Sequence, residues 1–547
     1  MKDRMKKFFS LLTHPRTAAE RSLLLAISGI LAGLCITFPT HVGAVLQWAV
    51  YVPAAFVLFE VSGDDGKTGR ILGRAYRCGF LFFMSEYLVN YHWFFSFYPL
   101  DFTGMSRASA AVVVAVAWLG LSFLASIAGG AVFLLFVLAA RGRAAKDAPV
   151  LLPFIGGALF ALFEWVETIG WMGVPWGRAA MGQLAFKSAV TVQSASLFGS
   201  YFVTFLIVSV SFLAARAMLS EKRGAVLQSL AALALIFANI AAGALILAVP
   251  DKNEDKTISV AAIQGNVSSR DKFMISSAET VDIYQKLIRN AAESGAKLIV
   301  CPESAFPWNL LTDEKSLDIF RAIAREYDVS IVLGCLDGFG NGQKNVLALM
   351  NPDGSISDRE YAKRHPVPFG EYMPWRGFLS AVIPPLAEIS MLEYDIVAGT
   401  GTEIMTLSDG TRIGGLICFD SIYEELSLKS ARDGADMLVL GTNDSWFTDS
   451  AAVFMHNEQA RLRAIETGLP VVRAANTGIS SLIDHHGRVD GTLPPLVDGV
   501  LCGTLSVGSA SFYSRTGNLF VYLLISAYFA MLAYSAVRGT AGTKKTR

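Results

Sequence analysis

With 547 residues, 53% hydrophobic content, 17% charged residues and a mean hydropathy of +0.45, the chain is long enough for two or more domains and too apolar to be wholly soluble. Its formal net charge is zero and no exterior basic patch with interleaved aromatics stands out, so composition gives no support to nucleic-acid binding.

In chain order, apolar runs of membrane-crossing length fall at roughly 22–38, 43–60, 79–95, 110–139, 150–168, 197–215 and 227–249, with an eighth near 518–536. Leu34 before Cys35 is a poor small-residue cleavage site and further spans follow, so the first run is expected to be a retained anchor. Twenty Lys and Arg residues fall in one set of alternate segments, 1–21, 67–77, 141–146, 216–223 and 538–547. The opposite short loops hold only Arg107, Arg178 and Lys187. Short basic loops stay cytoplasmic, which predicts both termini inside and the block from 251 to 512 outside. The 110–139 run exceeds one span, but a hairpin there would carry Arg141, Arg143 and Lys146 outward, so one helix is expected. The domains then read as 1–250 with seven helices, 251–512 as an exterior block, and 513–547 as a last helix and cytoplasmic tail. A polar hinge, Asp251 to Lys256, opens the block.

From Asp255 the pattern changes to short β-branched runs separated by amphipathic helical ones. Strands are predicted at 258–264, 296–301, 329–334, 345–351, 403–407, 412–418, 436–441, 470–474 and 480–484, and helices at 278–294, 317–327 and 452–467. That alternation suggests two sheets sandwiched between helices. Between Tyr372 and Tyr394 an apolar stretch, Met373 to Leu386, is broken by three prolines, so it is either a buried loop or a flap that admits an acyl chain.

Three short sequences stand at predicted strand ends, where open α/β sheets place their sites: Cys301-Pro302-Glu303-Ser304, Tyr361 to Glu371, and Leu416-Ile417-Cys418-Phe419-Asp420. A thiol becomes a nucleophile through a base, and the oxyanion that follows its attack calls for a cation. Glu303, Lys363 and Cys418 supply those three chemistries. Singly, a strand cysteine packs as a small hydrophobe and the other two read as surface residues.

In their order and spacing these residues resemble the nitrilase superfamily, and the flanking spans with the text from Lys363 to Glu371 resemble its membrane branch, the apolipoprotein N-acyltransferase family. Supporting stretches are Ile263 to Asn266, Thr442 to Phe447, His456 through Gly468, Asn90 to Trp93, and Val174 to Gly177. The resemblance implies an eight-helix transmembrane bundle carrying an αββα nitrilase-like domain. It implies Glu303 as proton acceptor, Lys363 as oxyanion stabiliser and Cys418 as nucleophile. Glu371 and Asn345 would support them, with Phe419 and Asp420 beside the nucleophile, and Phe273, Trp375 and Trp446 would gate the substrate.

The implied reaction moves an acyl chain from a phospholipid, through a Cys418 thioester, to the α-amino group of a diacylglyceryl-modified lipoprotein. The implied location is the bacterial inner membrane, with a periplasmic catalytic domain and a monomeric enzyme. Two departures stand out: Cys418-Phe419-Asp420 where the family commonly has Cys-Tyr-Glu, and Phe273 where it usually has Trp; both are expected to bear on acyl-donor preference. Two other readings compete, a membrane-tethered amidase using the same triad and a lipid transporter with an inert exterior domain.

No cofactor is expected. No metal is expected either: His485 and His486 would point apart on a strand, and His14, His41, His92, His365 and His456 lack partners at ligand spacing. The six cysteines form no framework, although a bridge between Cys301 and Cys335 stays open.

Overall fold

The computed structural model describes residues 17–100, 104–170, 173–250, 255–269, 271–382, 394–401 and 403–544. The chain divides into two compact units, one of 1–95, 114–248 and 516–547, the other of 96–113 and 249–515.

The first unit is helical: α1 (Ala18–Thr37), α2 (His41–Leu46), α3 (Val52–Ser62), α4 (Thr68–Asn90), α5 (Arg107–Ala140), α6 (Leu152–Val166), α7 (Ser200–Leu219) and α8 (Lys222–Ala248), with a last helix at Leu519–Lys544. Among the described residues six helices are long and apolar enough to cross a membrane. The 43–60 run is not one of them. It is split into α2 and α3 by a turn at 47–51, and Pro53 sits in the first turn of α3, where its missing N–H and fixed φ suit a helix start. The 79–95 run overlaps the C-terminal part of α4, which begins earlier, among Arg70, Arg74 and Arg77, and ends at Asn90. The 110–139 run is a single helix of 34 residues. Helices α1 and α4 approach closely because Gly29 and Gly33, four apart on one face, leave no side chain between the backbones; a Cβ at Gly29 would overlap the Phe82 carbonyl.

The second unit is built on two sheets. The first runs in the order β13-β1-β2-β4-β5-β6, with β3 (Phe306–Asn309) paired to β4, and the second runs β12-β11-β10-β9-β8-β7. The first sheet's other strands are β1 (Thr257–Gln264), β2 (Leu298–Val300), β4 (Ser330–Asp337), β5 (Lys344–Met350), β6 (Ile356–Ala362) and β13 (Gly499–Ser506). The second comprises β7 (Ile404–Thr406), β8 (Arg412–Ile417), β9 (Met437–Thr442), β10 (Val471–Ala475), β11 (Ser480–Ile483) and β12 (Val489–Leu493).

Side chains alternate across each strand, so each central strand feeds two cores. Val260 and Ala262 of β1 join Met437 and Val439 of β9 in a core between the sheets. Ala261 and Ile263 face the other way, against the helices Ser277–Glu293 and Glu314–Tyr327. Leu438 and Leu440 pack against Glu424–Arg432 and Ala451–Thr467. The layering is helix, sheet, sheet, helix, as the alternation predicts.

The sequence reading passes over β3, β6, β12, β13 and the helix Glu424–Arg432. Strands β6 and β12 are polar and largely half-buried or exposed, so they lack the apolar alternation that marks a half-buried strand. The apolar flap region begins with a short helix, Arg376–Val382; residues 383–393 lie outside the described residues, as do 251–254 of the expected hinge. Cys301 and Cys335 are both buried and free, so no bridge joins them.

Candidate active site

Three strand ends converge. Strand β2 stops at Val300, the Cys301 N–H still donates to the Val332 carbonyl at 2.9 Å, and Pro302 turns the chain so that Glu303 points inward at 5% exposure. The turn packs closely against β9 where Gly441 has no side chain: a Cβ there would sit 3.1 Å from the Glu303 nitrogen. Lys363 follows β6 directly; its N–H donates to the Asn345 carbonyl at 2.8 Å, its carbonyl accepts from Gly399 N at 2.7 Å, and the side chain is 1% exposed. Cys418 is the first residue beyond β8 and adopts a φ of +48°, the left-handed region that a side chain rarely enters. A nucleophile on so sharp a turn is lifted clear of the strand that precedes it.

The Lys363 ammonium bridges two carboxylates, 2.7 Å from Glu303 Oε1 and 2.7 Å from Glu371 Oε2. Asn345 Nδ2 donates to Glu303 Oε1 at 2.9 Å and to Glu371 Oε1 at 3.3 Å, and the Val367 N–H donates to Glu371 Oε2 at 2.7 Å. Burial pulls the Lys363 ammonium down. The two carboxylates outweigh it and hold the ammonium well above its ordinary value. The Cys418 thiol is pushed far up, first by burial and then by the Glu303 charge, although Lys363 pulls the other way. At neutral pH the sulfur therefore keeps its proton until a base takes it. Both Lys363 and Asn345 bond Glu303 through Oε1, which leaves Oε2 for that proton.

The structure thus joins Glu303, Lys363, Glu371 and Asn345 in one hydrogen-bonded group, with Cys418 within the field of Glu303 and Lys363. Asp420 has a different place from its neighbour. It is fully buried and accepts from the Tyr361 hydroxyl at 2.9 Å and from the N–H groups of His365 at 2.8 Å, Arg364 at 3.2 Å and Ile417 at 3.3 Å. It ties the Lys363 segment to the Cys418 turn. Phe419 is partly exposed and packs edge-on against Tyr423, whose ring stacks on His365. Trp375 is exposed, and Trp446 is partly exposed in the turn Ser445–Phe447, where its carbonyl accepts from Ser96 Oγ at 3.4 Å. The Phe273 side chain lies outside the described residues.

Residues given no individual role by the sequence also gather here, beside Cys418. Cys418, Asp444 and His456 bring ligand-type atoms within 4.8 Å of one another. Spacing along the chain could not reveal this, because β9 and the helix Ala451–Thr467 bring the three together. Arg473, 2.7 Å from Asp444 Oδ2, already neutralises the carboxylate and opposes a second cation there. A charged residue inside the run Val471-Val472-Arg473-Ala474-Ala475 was the available signal. Lys272, only 6% exposed, is the other addition: burial pulls its ammonium down to about 8 against the opposing charges of Glu303 and Glu371. An ammonium that binds its proton more weakly when folded opposes folding at pH 7, and that opposition fades as pH rises from about 8 toward the ordinary value of 10.5. Lys272→Met is therefore expected to raise thermal stability at pH 7, by up to about 3 kcal/mol, and to give little gain above pH 10; melting curves of both proteins across that range check it.

Comparisons with known proteins match this architecture. Residues 259–515 fit a carbon-nitrogen hydrolase model, and residues 28–213 fit the apolipoprotein N-acyltransferase N-terminal domain. The chain is 30% identical over 527 residues to the apolipoprotein N-acyltransferase of Geobacter metallireducens, covering 94% of this chain and 95% of that protein. It is 31% identical over 511 residues to that of Allorhizobium ampelinum, covering 90% and 91%. Among solved structures, a nitrilase-superfamily amidase from Nesterenkonia AN1 is similar at 17% identity and a TM-score of 0.37, over 50% of this chain and 98% of that one.

Proposed function

Since this chain belongs to the apolipoprotein N-acyltransferase family, we propose that Glu303, Lys363 and Cys418 perform its acyl transfer by a two-step exchange through a thioester. The acyltransferase relatives match over nearly their full length, which favours this reading over a tethered amidase or a transporter with an inert domain. The observation that carries the mechanism is the Lys363 ammonium held between Glu303 and Glu371, beside a thiol that burial keeps protonated.

In the first step Cys418 Sγ attacks the ester carbonyl of a phospholipid while Glu303 takes the thiol proton. The tetrahedral oxyanion faces the Lys363 ammonium. Collapse breaks the ester C–O bond, Glu303 returns its proton to the departing alkoxide, and a lysophospholipid leaves. In the second step the α-amino group of a diacylglyceryl-cysteine attacks the thioester, Glu303 accepts the amine proton, and that proton goes back to the sulfur as the C–S bond breaks. Glu371 and Asn345 hold Lys363 and Glu303 in register throughout. The apolar stretch after Tyr372, with Phe273, Trp375, Phe419 and Trp446, admits the acyl chains and keeps water from the thioester.

The protein is membrane-associated. Our reading places it in a bacterial inner membrane as a monomer with eight crossings: the six long apolar helices, α4, and the α2–α3 pair taken together. Residues 1–250 and 513–547 hold the crossings, the catalytic domain of 251–512 is periplasmic, and both termini are cytoplasmic. Incubating the purified protein with phospholipid and a diacylated lipopeptide tests the function: the lipopeptide is expected to gain the mass of one acyl chain at its N-terminus. Release of free fatty acid with an unchanged lipopeptide would refute the transfer.

A further inference from the structure

A second buried network meets Cys418 from residues that the mechanism does not use. His456, on the helix Ala451–Thr467, is 1% exposed. Its Nδ1 lies 2.8 Å from Asp444 Oδ1, and Arg473 Nη2 donates to Asp444 Oδ2 at 2.7 Å. Burial would raise the Asp444 carboxyl, but Arg473 and His456 outweigh it and hold the group far below its ordinary value. Asp444 is therefore an anion that accepts from the ring and fixes its orientation. On the other edge, Nε2 lies 2.9 Å from Ser421 Oγ and 3.1 Å from the Cys418 carbonyl oxygen, and Ser421 Oγ donates to the same carbonyl at 2.8 Å.

Those contacts fall on the peptide that carries the nucleophile. Cys418 holds a left-handed backbone, and a residue in that region persists only when its surroundings over-determine it. Strand pairing ends at Ile417, so the ladder does not hold the Cys418 carbonyl. We propose that His456 is a positioning residue for the nucleophile: with a hydrogen on both ring nitrogens, it donates through Nδ1 to Asp444 and through Nε2 toward the Cys418 carbonyl beside Ser421, and Asp444 and Arg473 set the ring so that the sulfur is presented at the angle attack requires. The nucleophile's geometry is thereby set by Asp444 beyond β9, by β10 and by the helix Ala451–Thr467, besides its own strand. This deepens the reading of Cys418 as the nucleophile and rests on it.

The test is alkylation of Cys418 by iodoacetamide, followed by peptide mass spectrometry on the full-length protein in detergent, which needs no lipid substrate. Exposed Cys502 serves as the internal rate standard, and buried Cys301 and Cys335 report any unfolding. His456→Leu, which fills the space without a polar edge, is expected to slow Cys418 about tenfold relative to Cys502, the effect of one lost hydrogen bond on the attacking geometry. His456→Gln, which restores a donor near the Nε2 position, is expected to recover the rate to within about threefold. Equal rates in wild type and His456→Leu would overturn the proposal, as would a His456→Gln rate as slow as His456→Leu with Cys301 and Cys335 still protected. If His456→Leu exposes those two thiols, the comparison of His456→Gln with wild type decides alone: a match supports the proposal and a tenfold loss overturns it. Should phospholipid leave wild-type Cys418 unmodified, the thioester reading fails while the alkylation comparison stands by itself.

Discussion

Replacing Glu303 by glutamine is expected to slow acylation of Cys418 roughly a thousandfold, the middle of the range that a positioned general base contributes. The amide fills the same space and still accepts from Asn345 Nδ2, now at 2.9 Å from Glu303 Oε1, so the site stays assembled. What it loses is the ability to take a proton. Burial keeps the Cys418 thiol far above its usual range, so the thiolate present at neutral pH is scarce. The variant must wait for that scarce anion, and its rate is expected to climb about tenfold per pH unit through the neutral range, whereas the wild type changes less steeply. Single-turnover acylation measured from pH 6 to 9 checks both statements. A variant with the wild-type rate and pH profile would remove Glu303 from the base role.

Lys363→Met is expected to do more damage, because the ammonium serves structure and chemistry together. Without it the buried Glu303 and the half-buried Glu371 share Asn345, and the ammonium between them is gone. Removing one partner of a buried ion pair costs roughly 3–5 kcal/mol. The oxyanion also loses its stabiliser, by itself worth about a hundredfold to a thousandfold in rate. The double variant Lys363→Met with Glu371→Gln separates the two effects. It removes one of the unpaired charges and is expected to regain most of the lost thermal stability, while acylation stays as slow as in the single variant. If activity returned along with stability, Lys363 would be a structural cation and the oxyanion would be stabilised elsewhere.

Much of this site was legible because its residues stand where strands end, and the ends of short buried strands follow from where apolar runs stop. The runs predicted at 296–301 and 412–418 close at Cys301 and Cys418, so Glu303 and Cys418 could be placed at the rims of the two sheets from sequence. Lys363 was legible only from the motif around it: the strand that carries it, β6, is polar along most of its length and has no period to read. The buried network of Asp444, His456 and Arg473 was not legible from spacing, since its members come from three elements joined by parallel pairing of β9 and β10. Asp420 misled for a related reason. Beside the nucleophile in sequence, it reads as a substrate-facing group, yet a tight turn after the left-handed Cys418 sends its side chain into the core. In the membrane unit, composition found the apolar stretches but could not see that the turn at 47–51 divides one of them.

The central claim is that Cys418 carries the acyl chain, and the most direct measurement is the intact mass of the purified protein after incubation with a phospholipid of defined acyl composition, with Cys418→Ala in parallel. The account predicts a mass increase of one acyl group, absent in the variant and removed by hydroxylamine, as a thioester is. A folded wild-type protein that transfers acyl chains to a lipopeptide without ever gaining that hydroxylamine-labile mass, or a Cys418→Ala variant that gains it equally, would contradict the account.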